Sequence, residues 1–212
     1  MTLRIISYNI HRAMDKNKKT TLFQIVKYLK KQRADVICLQ EVLHSQYEFM
    51  KLYLRMNGIF AENVESQKYG ICIFSKYKII EKNHVFLTSK REQRGLAHVK
   101  LKVDENNCLN IVNTHLGLNK IERFKQIDEI LDFVKNIKDK GKNIICGDFN
   151  EKNLSINNFN DASVQLKKDN YPTFSKSRID YCFVDKGLIV NSYEVGDVYM
   201  SDHFPIIVDF EL

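Results

Sequence analysis

The sequence is poor in residues that interrupt regular structure. Its 212 residues include two prolines, eight glycines and no tryptophan. The shortage of proline and glycine argues against a collagen-like, linker-rich or disordered chain, because those classes are rich in these residues. No repeated period is visible, which argues against solenoids and propellers. The length and the 44% hydrophobic fraction fit one globular domain over residues 1–212.

Long apolar segments are also missing. No apolar run approaches the roughly 20 residues that span a bilayer, so we expect no transmembrane segment. Residues 1–10 are too short and too often interrupted by polar residues to form a secretory signal peptide, and they lead to no small-residue cleavage site. We therefore expect a cytoplasmic protein.

The five cysteines form no recognisable disulfide or zinc framework. Their odd number suits reduced thiols, and no pair has the close spacing of a zinc site. Each lies in an apolar, strand-like context, where cysteine behaves as a small buried hydrophobic residue. We predict that all five belong to the core: Cys38, Cys72, Cys108, Cys146 and Cys182.

Positive charge is in excess, with a formal net charge of +7. This favours an anionic partner, which could be a nucleic acid, a lipid headgroup or a phosphate metabolite. A solvated, lysine-rich surface without such a partner explains the charge equally well. Nothing in the sequence identifies a protein partner.

The first 57 residues alternate between strand and helix periods. Residues 3–9 and 35–42 are continuous apolar strands. Residues 20–33 carry apolar residues at helical spacing, and Thr20 or Thr21 is a suitable N-cap. A second helix covers residues 45–56, and Asn57-Gly58 is expected to end it.

The remaining residues are mostly strands. Residues 58–64, 69–76, 78–87, 95–103 and 108–116 have short polar connections, including a hairpin turn at 104–107. A long helix is predicted at 119–142. The apolar face of this helix would comprise Ile121, Phe124, Ile127, Ile130, Leu131 and Val134. Further strands are predicted at 142–150, 178–184, 188–195 and 204–212. These elements predict an α/β fold, a four-layer α/β sandwich of two packed β-sheets flanked by helices.

Polar and charged residues stand where several apolar strands end. At such strand ends lie Asn9, Glu41, His115, Asp148, Asn150, Asp202 and His203, and Asp180 lies inside a strand. Strand ends beside a sheet core are where α/β proteins bind ligands. Carboxylates are preferred ligands of Mg2+ or Mn2+, and a histidine beside an aspartate can serve as a proton donor or a cation facing phosphate.

Taken singly, most of these residues have an ordinary explanation. Asn9 is typical of a turn, Glu41 could end a strand at the surface, and His115 could be a hydrogen-bonded histidine at a sheet edge. Residues 148–150 could also form a turn. Asp180 is different, because a carboxylate in an apolar strand needs a specific partner. Their occurrence together, in one order, favours a functional site.

That order resembles the endonuclease/exonuclease/phosphatase superfamily, which includes DNase I, exonuclease III-like repair enzymes, inositol polyphosphate 5-phosphatases and neutral sphingomyelinases. The motifs are SYNIH (7–11), LQEV (39–42), NTHLG (113–117), GDFN (147–150), RIDYCFV (178–184) and SDHFP (201–205), and the resemblance runs from Arg4 to Phe210. It implies a DNase I-like fold and metal-dependent hydrolysis of phosphate esters. It also implies that Glu41 is the principal Mg2+ (or Mn2+) ligand, with Asn9 and Asp202 completing or bordering the metal site.

The resemblance implies roles for the other residues as well. Asp148 would orient or deprotonate the attacking water, held in place by Asn150. His203, oriented by Asp180, would contact a non-bridging phosphate oxygen and stabilise charge in the transition state. His115 would lie near the leaving oxygen or a phosphate oxygen.

The subfamily is less well defined. Repair endonucleases usually carry tryptophan in segments corresponding to 7–11 and just before 178, and this chain has none. DNase I relatives are secreted and disulfide-bonded, which does not fit the expectations above. The 5-phosphatases carry an extended motif that residues 147–155 lack. Residues 91–101 and 114–126 look most like compact bacterial metal-dependent hydrolases, some of which are sphingomyelinase-like. On this basis Arg94 is a candidate phosphate contact, although an exposed loop arginine fits the position equally well.

We therefore predict phosphodiester hydrolysis, with DNA or RNA as the leading substrate. A phospholipid or a small phosphate ester is the alternative substrate. An inactive binding platform of the same fold is disfavoured, because every catalytic position that can be aligned is intact. A non-enzymatic nucleic-acid binder would need interleaved aromatic and basic residues, but the ten tyrosines are spread along the chain.

Overall fold

Apolar strands dominate the computed structural model, which describes residues 1–105, 107–137 and 141–212. The first half contains β1 (Thr2–Asn9), α1 (Leu22–Gln32), β2 (Val36–Leu43), α2 (His44–Leu54), β3 (Asn57–Val64), β4 (Tyr69–Ser75), β5 (Lys78–Leu87) and β6 (Arg94–Lys102). The second half contains β7 (Cys108–His115), α3 (Lys120–Lys135), β8 (Lys142–Asp148), β9 (Phe159–Asp161), α4 (Ala162–Gln165), β10 (Asp180–Asp185), β11 (Ile189–Val195) and β12 (Ile206–Glu211).

Within the described ranges these strands form two six-stranded sheets. The strand order is β11-β12-β1-β2-β4-β3 in the first sheet and β5-β6-β7-β8-β10-β9 in the second. The pairs β1–β2 and β7–β8 are parallel, and each lies in the middle of its sheet. Both parallel pairs therefore bring two carboxyl-terminal strand ends side by side.

The core consists of three apolar layers. The central layer lies between the sheets, where Ile5 and Cys38 of the first sheet belong to one cluster with Ile111 and Ile144 of the second. Other clusters join α1 and α2 to the outer face of the first sheet and α3 to the outer face of the second. Each fully buried isoleucine contributes about 1.5–3 kcal/mol to folding. The four-layer α/β sandwich predicted from the sequence is confirmed.

The predicted end of α2 is wrong. The helix stops at Leu54, and Arg55 takes the left-handed cap conformation (φ 56°) that glycine usually supplies. Asn57 and Gly58 already belong to β3. Gly58 lies against Phe74, whose Cδ1 would be 2.8 Å from an added Cβ. The glycine therefore serves strand packing.

The predicted face of α3 is wrong in its first turns. Ile121 and Phe124 are 79% and 49% exposed, while Arg123 and Gln126 are buried. The first turns of α3 cover loop backbone that needs polar partners. Gln126 accepts the N–H of Gly117 and donates to a carbonyl at Thr88, and Arg123 donates to the carbonyl of Leu118. The rest of the predicted face is confirmed. Residues 138–140, in the predicted helix 119–142, and Asn106, in the predicted turn 104–107, lie outside the described residues.

Four of the five cysteines are buried, and Cys108 is only partly buried. No helix in the described part of the chain is both long enough and apolar enough to cross a membrane.

Candidate active site

The predicted strand-end residues meet at one edge of the sandwich. Asn9 ends β1, and Glu41 lies two residues before the end of β2. His115 and Asp148 pair with each other at the ends of β7 and β8. Asp180 begins the antiparallel strand β10 and pairs directly with Asp148. The topology alone therefore brings side chains from both sheets to a single cleft.

Asp148 lies at the centre of this edge and is 1% exposed. Its Oδ2 accepts a hydrogen bond from Nδ2 of Asn9 at 3.0 Å. The same oxygen is 3.5 Å from Nε2 of His115 and 3.6 Å from Nε2 of His203. An amide and two imidazoles thus surround one carboxylate oxygen.

Asn150 holds the other side of this carboxylate. Its backbone N–H donates to Oδ1 of Asp148 at 2.9 Å, and its side chain donates to the carbonyl of Leu116 at 2.9 Å. Burial and the nearby charge of Asp180 raise the pKa of Asp148. The charge of His203 and the hydrogen bonds from Asn9 and the Asn150 backbone lower it, and the result is a pKa of about 7. Asp148 can therefore take up a proton near neutral pH.

His203 has the hydrogen-bond partner expected for it. Its Nδ1 lies 3.0 Å from Oδ2 of Asp180, and the ring of Phe174 packs 4.7 Å from its own, centroid to centroid. Burial lowers the pKa of His203, but the charge and hydrogen bond of Asp180 outweigh this effect and raise it to about 10. The imidazole is therefore a cation at neutral pH, and both ring nitrogens carry protons.

His115, in contrast to His203, is held in its neutral form. Nη1 of Arg94 lies 3.1 Å from Nδ1 of His115 and 2.7 Å from Oε1 of Glu92. A guanidinium can only donate, so Nδ1 must accept and the proton of the neutral ring sits on Nε2. Burial, together with the charges of Arg94 and His203, lowers the pKa of His115 well below its usual range. His115 therefore presents an N–H donor toward Asp148 and carries no charge.

Glu41 is presented by an irregularity in β2. The pairing of β2 with β4 shifts between Leu39 and Val42, and Glu41 adopts a left-handed φ of 55°. Such a break turns a side chain away from its regular position, and the strain costs about 1–3 kcal/mol. Nδ2 of Asn113, from the opposite sheet, bonds the carbonyls of Leu39 and Cys72 at 3.0 Å each. The second sheet thus stabilises the break that positions Glu41.

The carboxylate of Glu41 has two polar neighbours. Nδ2 of Asn9 donates to Oε1 at 3.2 Å, and the hydroxyl of Tyr69 lies nearby. Burial, followed by the charge of Glu41, raises the pKa of Tyr69 far above its usual range. The guanidinium of Arg12 lies 4.7 Å above the Tyr69 ring and helps to fix it.

Asn9 presents its amide nitrogen to the cleft. Its Oδ1 accepts the backbone N–H of His11 at 3.0 Å, and three consecutive residues here, His11, Arg12 and Ala13, have left-handed φ values. In this arrangement the amide nitrogen of Asn9 bridges the carboxylates of Glu41 and Asp148.

Asp202 lies at the rim of the cleft. Its side chain is 33% exposed, and Oδ1 lies 3.4 Å from Nδ1 of His11. The hydroxyl of Ser201 donates to it at 3.2 Å. Its charge also helps to raise the pKa of His203.

The donor set at this edge fits a hard divalent cation near Glu41. The carboxylates of Glu41 and Asp148 both contact the amide nitrogen of Asn9, and Mg2+ and Mn2+ prefer such oxygen ligands. Among the described residues, Asp148, Asp180 and His203 also bring potential ligand atoms within 4.8 Å of one another. That group fits less well, because a protonated imidazole has no lone pair to offer a metal.

Three residues at the site were not identified from the sequence: Tyr69, Glu92 and Phe174. None belongs to a motif, and each acts through a neighbour, on Glu41, Arg94 and His203 respectively. Tyr69 begins the strand paired with the Glu41 strand, which is the one signal that could have indicated it. Arg94, for which an exposed loop position fitted equally well, is buried at the start of β6.

Several solved structures share this fold over nearly the whole chain. An endonuclease/exonuclease/phosphatase family protein from Bacteroides thetaiotaomicron superposes with a TM-score of 0.86 at 20% identity, covering 100% of this chain and 99% of that one. TDP2 from D. rerio, in complex with a single-strand DNA product, gives 0.84 at 20% identity and covers 100% and 99%. A mannosyl-6-phosphatase from Bacteroides thetaiotaomicron gives 0.82 at 20% identity and covers 99% and 100%.

Sequence comparison points in the same direction. The uncharacterized protein YbhP of Escherichia coli K12 is 23% identical over 170 residues, which span 71% of this chain and 67% of that protein. A family model described as the endonuclease/exonuclease/phosphatase family matches residues 6–203, a range that includes every residue of the cleft described above. The chain therefore belongs to the endonuclease/exonuclease/phosphatase family.

Proposed function

We propose that this protein is a divalent-metal-dependent phosphodiesterase that cleaves nucleic acid. The observation that carries the proposal is the arrangement around Asp148, where one carboxylate faces a neutral imidazole N–H and a cationic imidazole within 3.6 Å. Phosphoryl transfer needs a group that activates water and positive charge beside the phosphoryl oxygens. The cleft holds both.

The roles follow from the charge states. Asp148, with a pKa near 7, accepts the proton of the attacking water, and Asn150 holds the carboxylate in position. His203 places a positive charge on a non-bridging phosphate oxygen and is kept protonated by Asp180. His115 donates its Nε2–H to the leaving oxygen or a phosphate oxygen, with Arg94 fixing that tautomer.

Glu41 would hold the metal ion, with Asp202 at the rim and Asn9 orienting the carboxylates. The ion, Mg2+ or Mn2+, would add positive charge beside the phosphate. Tyr69 keeps the Glu41 carboxylate directed into the cleft. Because Asn9 turns its nitrogen inward, we assign it an orienting role.

Two observations favour nucleic acid as the substrate. The chain carries a net charge of +7, which suits a polyanion. The TDP2 neighbour was solved with a single-strand DNA product, and this chain shares its fold. A phosphate monoester is the second candidate, because a neighbour with equal coverage is a mannosyl-6-phosphatase.

A substrate panel tests the proposal. Purified protein with Mg2+, Mn2+ or EDTA is incubated with plasmid DNA, single-stranded DNA, RNA, bis-p-nitrophenyl phosphate, sphingomyelin, mannose 6-phosphate and inositol phosphates. We expect metal-dependent cleavage of DNA or RNA that weakens steeply between roughly 50 and 200 mM salt, because phosphate contacts release counterions. Turnover of mannose 6-phosphate or sphingomyelin with intact nucleic acid would overturn the substrate, and full activity in EDTA would overturn the metal requirement.

A further inference from the structure

A pocket of about 530 Å³ opens beside the cleft described above. One wall is formed by the segment before β6 and the other by the segment between β7 and α3. Its lining is Lys90, Arg91, Glu92, Arg94, Gly117, Leu118, Asn119 and Glu122. Of these lining residues, only Arg94 and its partner Glu92 have a role assigned above.

The pocket and the reaction centre share one residue, Arg94. That side chain lines the pocket and also touches His115 at 3.1 Å, and His115 is 3.5 Å from Asp148. Arg94 therefore borders both the pocket and the histidine that faces the central carboxylate.

The charged side chains of the pocket differ in whether they already have a bonding partner. Glu92 is paired with Arg94 at 2.7 Å, and Glu122 is buried against Gln126, whose Nε2 donates to it at 3.3 Å. Lys90 and Arg91 are exposed, and within the described residues they make no hydrogen bond or ion pair. The cations available to a ligand therefore lie together, on the wall before β6.

We propose that this pocket is a subsite for a second phosphate group of the substrate, bound by Lys90 and Arg91. The inference rests on the function proposed above and narrows it to esters that carry two phosphates. Phosphate suits this wall because ammonium and guanidinium groups bind its oxygens with charge-assisted hydrogen bonds. The pocket is larger than a phosphate, and the 77% exposed Leu118 offers apolar surface to the carbon skeleton between the two phosphates.

Two sources could supply the second phosphate. A nucleic acid strand carries one on the next nucleotide, and a small bisphosphate carries one on the same ring. Dithymidine monophosphate, alone or with an additional 5′- or 3′-terminal phosphate, represents the first source. Inositol 1-phosphate and inositol 1,4-bisphosphate represent the second.

The test compares ratios of kcat/KM within each series. For the wild type we expect an additional phosphate to raise kcat/KM about tenfold or more in one series, which corresponds to about 1.4 kcal/mol. In the double variant Lys90→Ala/Arg91→Ala the ratio should fall to about one. The matched control is Lys78→Ala/Lys82→Ala, which removes the same charge from β5. Lys82 is five residues, about 17 Å, from the end of that strand nearest the cleft, so this control should keep the wild-type ratio.

Binding separates failure of the subsite from failure of the proposed function. Isothermal titration of the same ligands into the three proteins measures the second phosphate without turnover. If no ester is hydrolysed but the additional phosphate still tightens binding through Lys90 and Arg91, the proposed function fails and the subsite stands. A wild-type ratio of about one, together with equal affinities for ligands with and without the second phosphate, would overturn the subsite. An equal fall of the ratio in the control variant would also overturn it.

Discussion

Two histidines face the same carboxylate oxygen, but one is a cation and the other is neutral. His203 is a cation because Asp180 bonds its Nδ1, and His115 is neutral because Arg94 occupies the same atom of its ring. The partner behind each ring therefore decides what its Nε2 offers to the cleft. Burial favours the neutral form of both rings, so His203 keeps its charge only because of the nearby carboxylates, Asp180 above all.

Replacing Asp180 with Asn should uncouple His203 from its charge. The pKa of His203, raised to about 10 in the native protein, should fall toward or below the unperturbed value of about 6.5. NMR titration of the ring measures this. We expect kcat/KM to fall about 100-fold or more, because the charge acts in the transition state.

Asp185→Asn is the matched control, since this residue ends the same strand and bonds Asn143 away from the cleft. It should leave the His203 titration where it is. A kcat/KM for Asp180→Asn within twofold of wild type would refute the role of the pair.

A second ion pair gives a pH dependence of stability. Arg4 on β1 bonds Asp209 on β12 through Nε and Nη2, at 2.7 Å each, and this hydrogen bond lowers the pKa of Asp209. The contribution is therefore complete above the unfolded pKa of about 3.9 and is lost as pH falls through the lower folded value.

Asp209→Asn should lower the free energy of unfolding by about 1 kcal/mol at neutral pH. Its stability should also decline less than that of wild type between about pH 5 and 3. Urea midpoints measured across that range test this. Parallel curves for the two proteins would show that the pair contributes nothing.

At the scale of elements, the parallel strands β7 and β8 approach too closely to admit a side chain. Gly147 has a φ of 139°, and an added Cβ would lie 2.0 Å from the carbonyl oxygen of Thr114. Thr114 immediately precedes His115, and Gly147 immediately precedes Asp148, so both residues adjoin the site. Strand pairing and the position of the carboxylate are therefore set together.

Gly147→Ala should cost about 3 kcal/mol or more of unfolding free energy, because backbone must move. Gly187→Ala is the control, since its Cβ would meet only the flexible Lys142 side chain. Thermal and urea unfolding of both variants test the difference. Equal, small losses would contradict the close approach.

How well the sequence predicted an element depended on whether apolar residues alone decide its face. The strands and α1 follow that rule, since Ile25, Val26 and Leu29 are buried as spaced. The first turns of α3 do not, because polar side chains are buried there to bond loop backbone. β9 and α4, at 159–165, were not predicted at all, because their short segment shows no period.

The site was predictable to a similar extent. Strand ends and motif order indicated which residues gather, and the structure places Glu41, His115, Asp148, Asp180 and His203 together. Protonation states were not predictable, since they depend on burial and on partners such as Glu92 that no motif contains. The orientation of the Asn9 amide likewise depends on the local turn at His11.

At the scale of the whole molecule, the two sheets are joined by polar contacts beneath the cleft. Nε2 of Gln40 on β2 donates to Oδ1 of Asn113 on β7 at 2.7 Å, and Asn113 in turn bonds two carbonyls of the first sheet. Because both sheets contribute to the site, we propose that residues 1–212 act as a single catalytic domain.

Asn113→Ala should leave these buried carbonyls unsatisfied and release the break in β2. We expect a loss of about 2–4 kcal/mol in unfolding free energy and weaker Mn2+ binding, since Glu41 is positioned by the same contacts. Chemical unfolding and calorimetric metal titration test this. Unchanged metal affinity in a folded variant would show that the two sheets are not coupled at Glu41.

One measurement tests hydrolysis at Asp148 most directly: initial rates on the fastest substrate of the panel, for wild type, Asp148→Asn and the surface control Asp132→Asn. In Mg2+ we expect wild type and Asp132→Asn to be equally active, and Asp148→Asn to be slower by about a thousandfold, with a wild-type unfolding midpoint as evidence that it is folded. EDTA should abolish all three rates. Equal rates for Asp148→Asn and wild type, or no turnover of any substrate by the folded protein, would contradict the proposed activity.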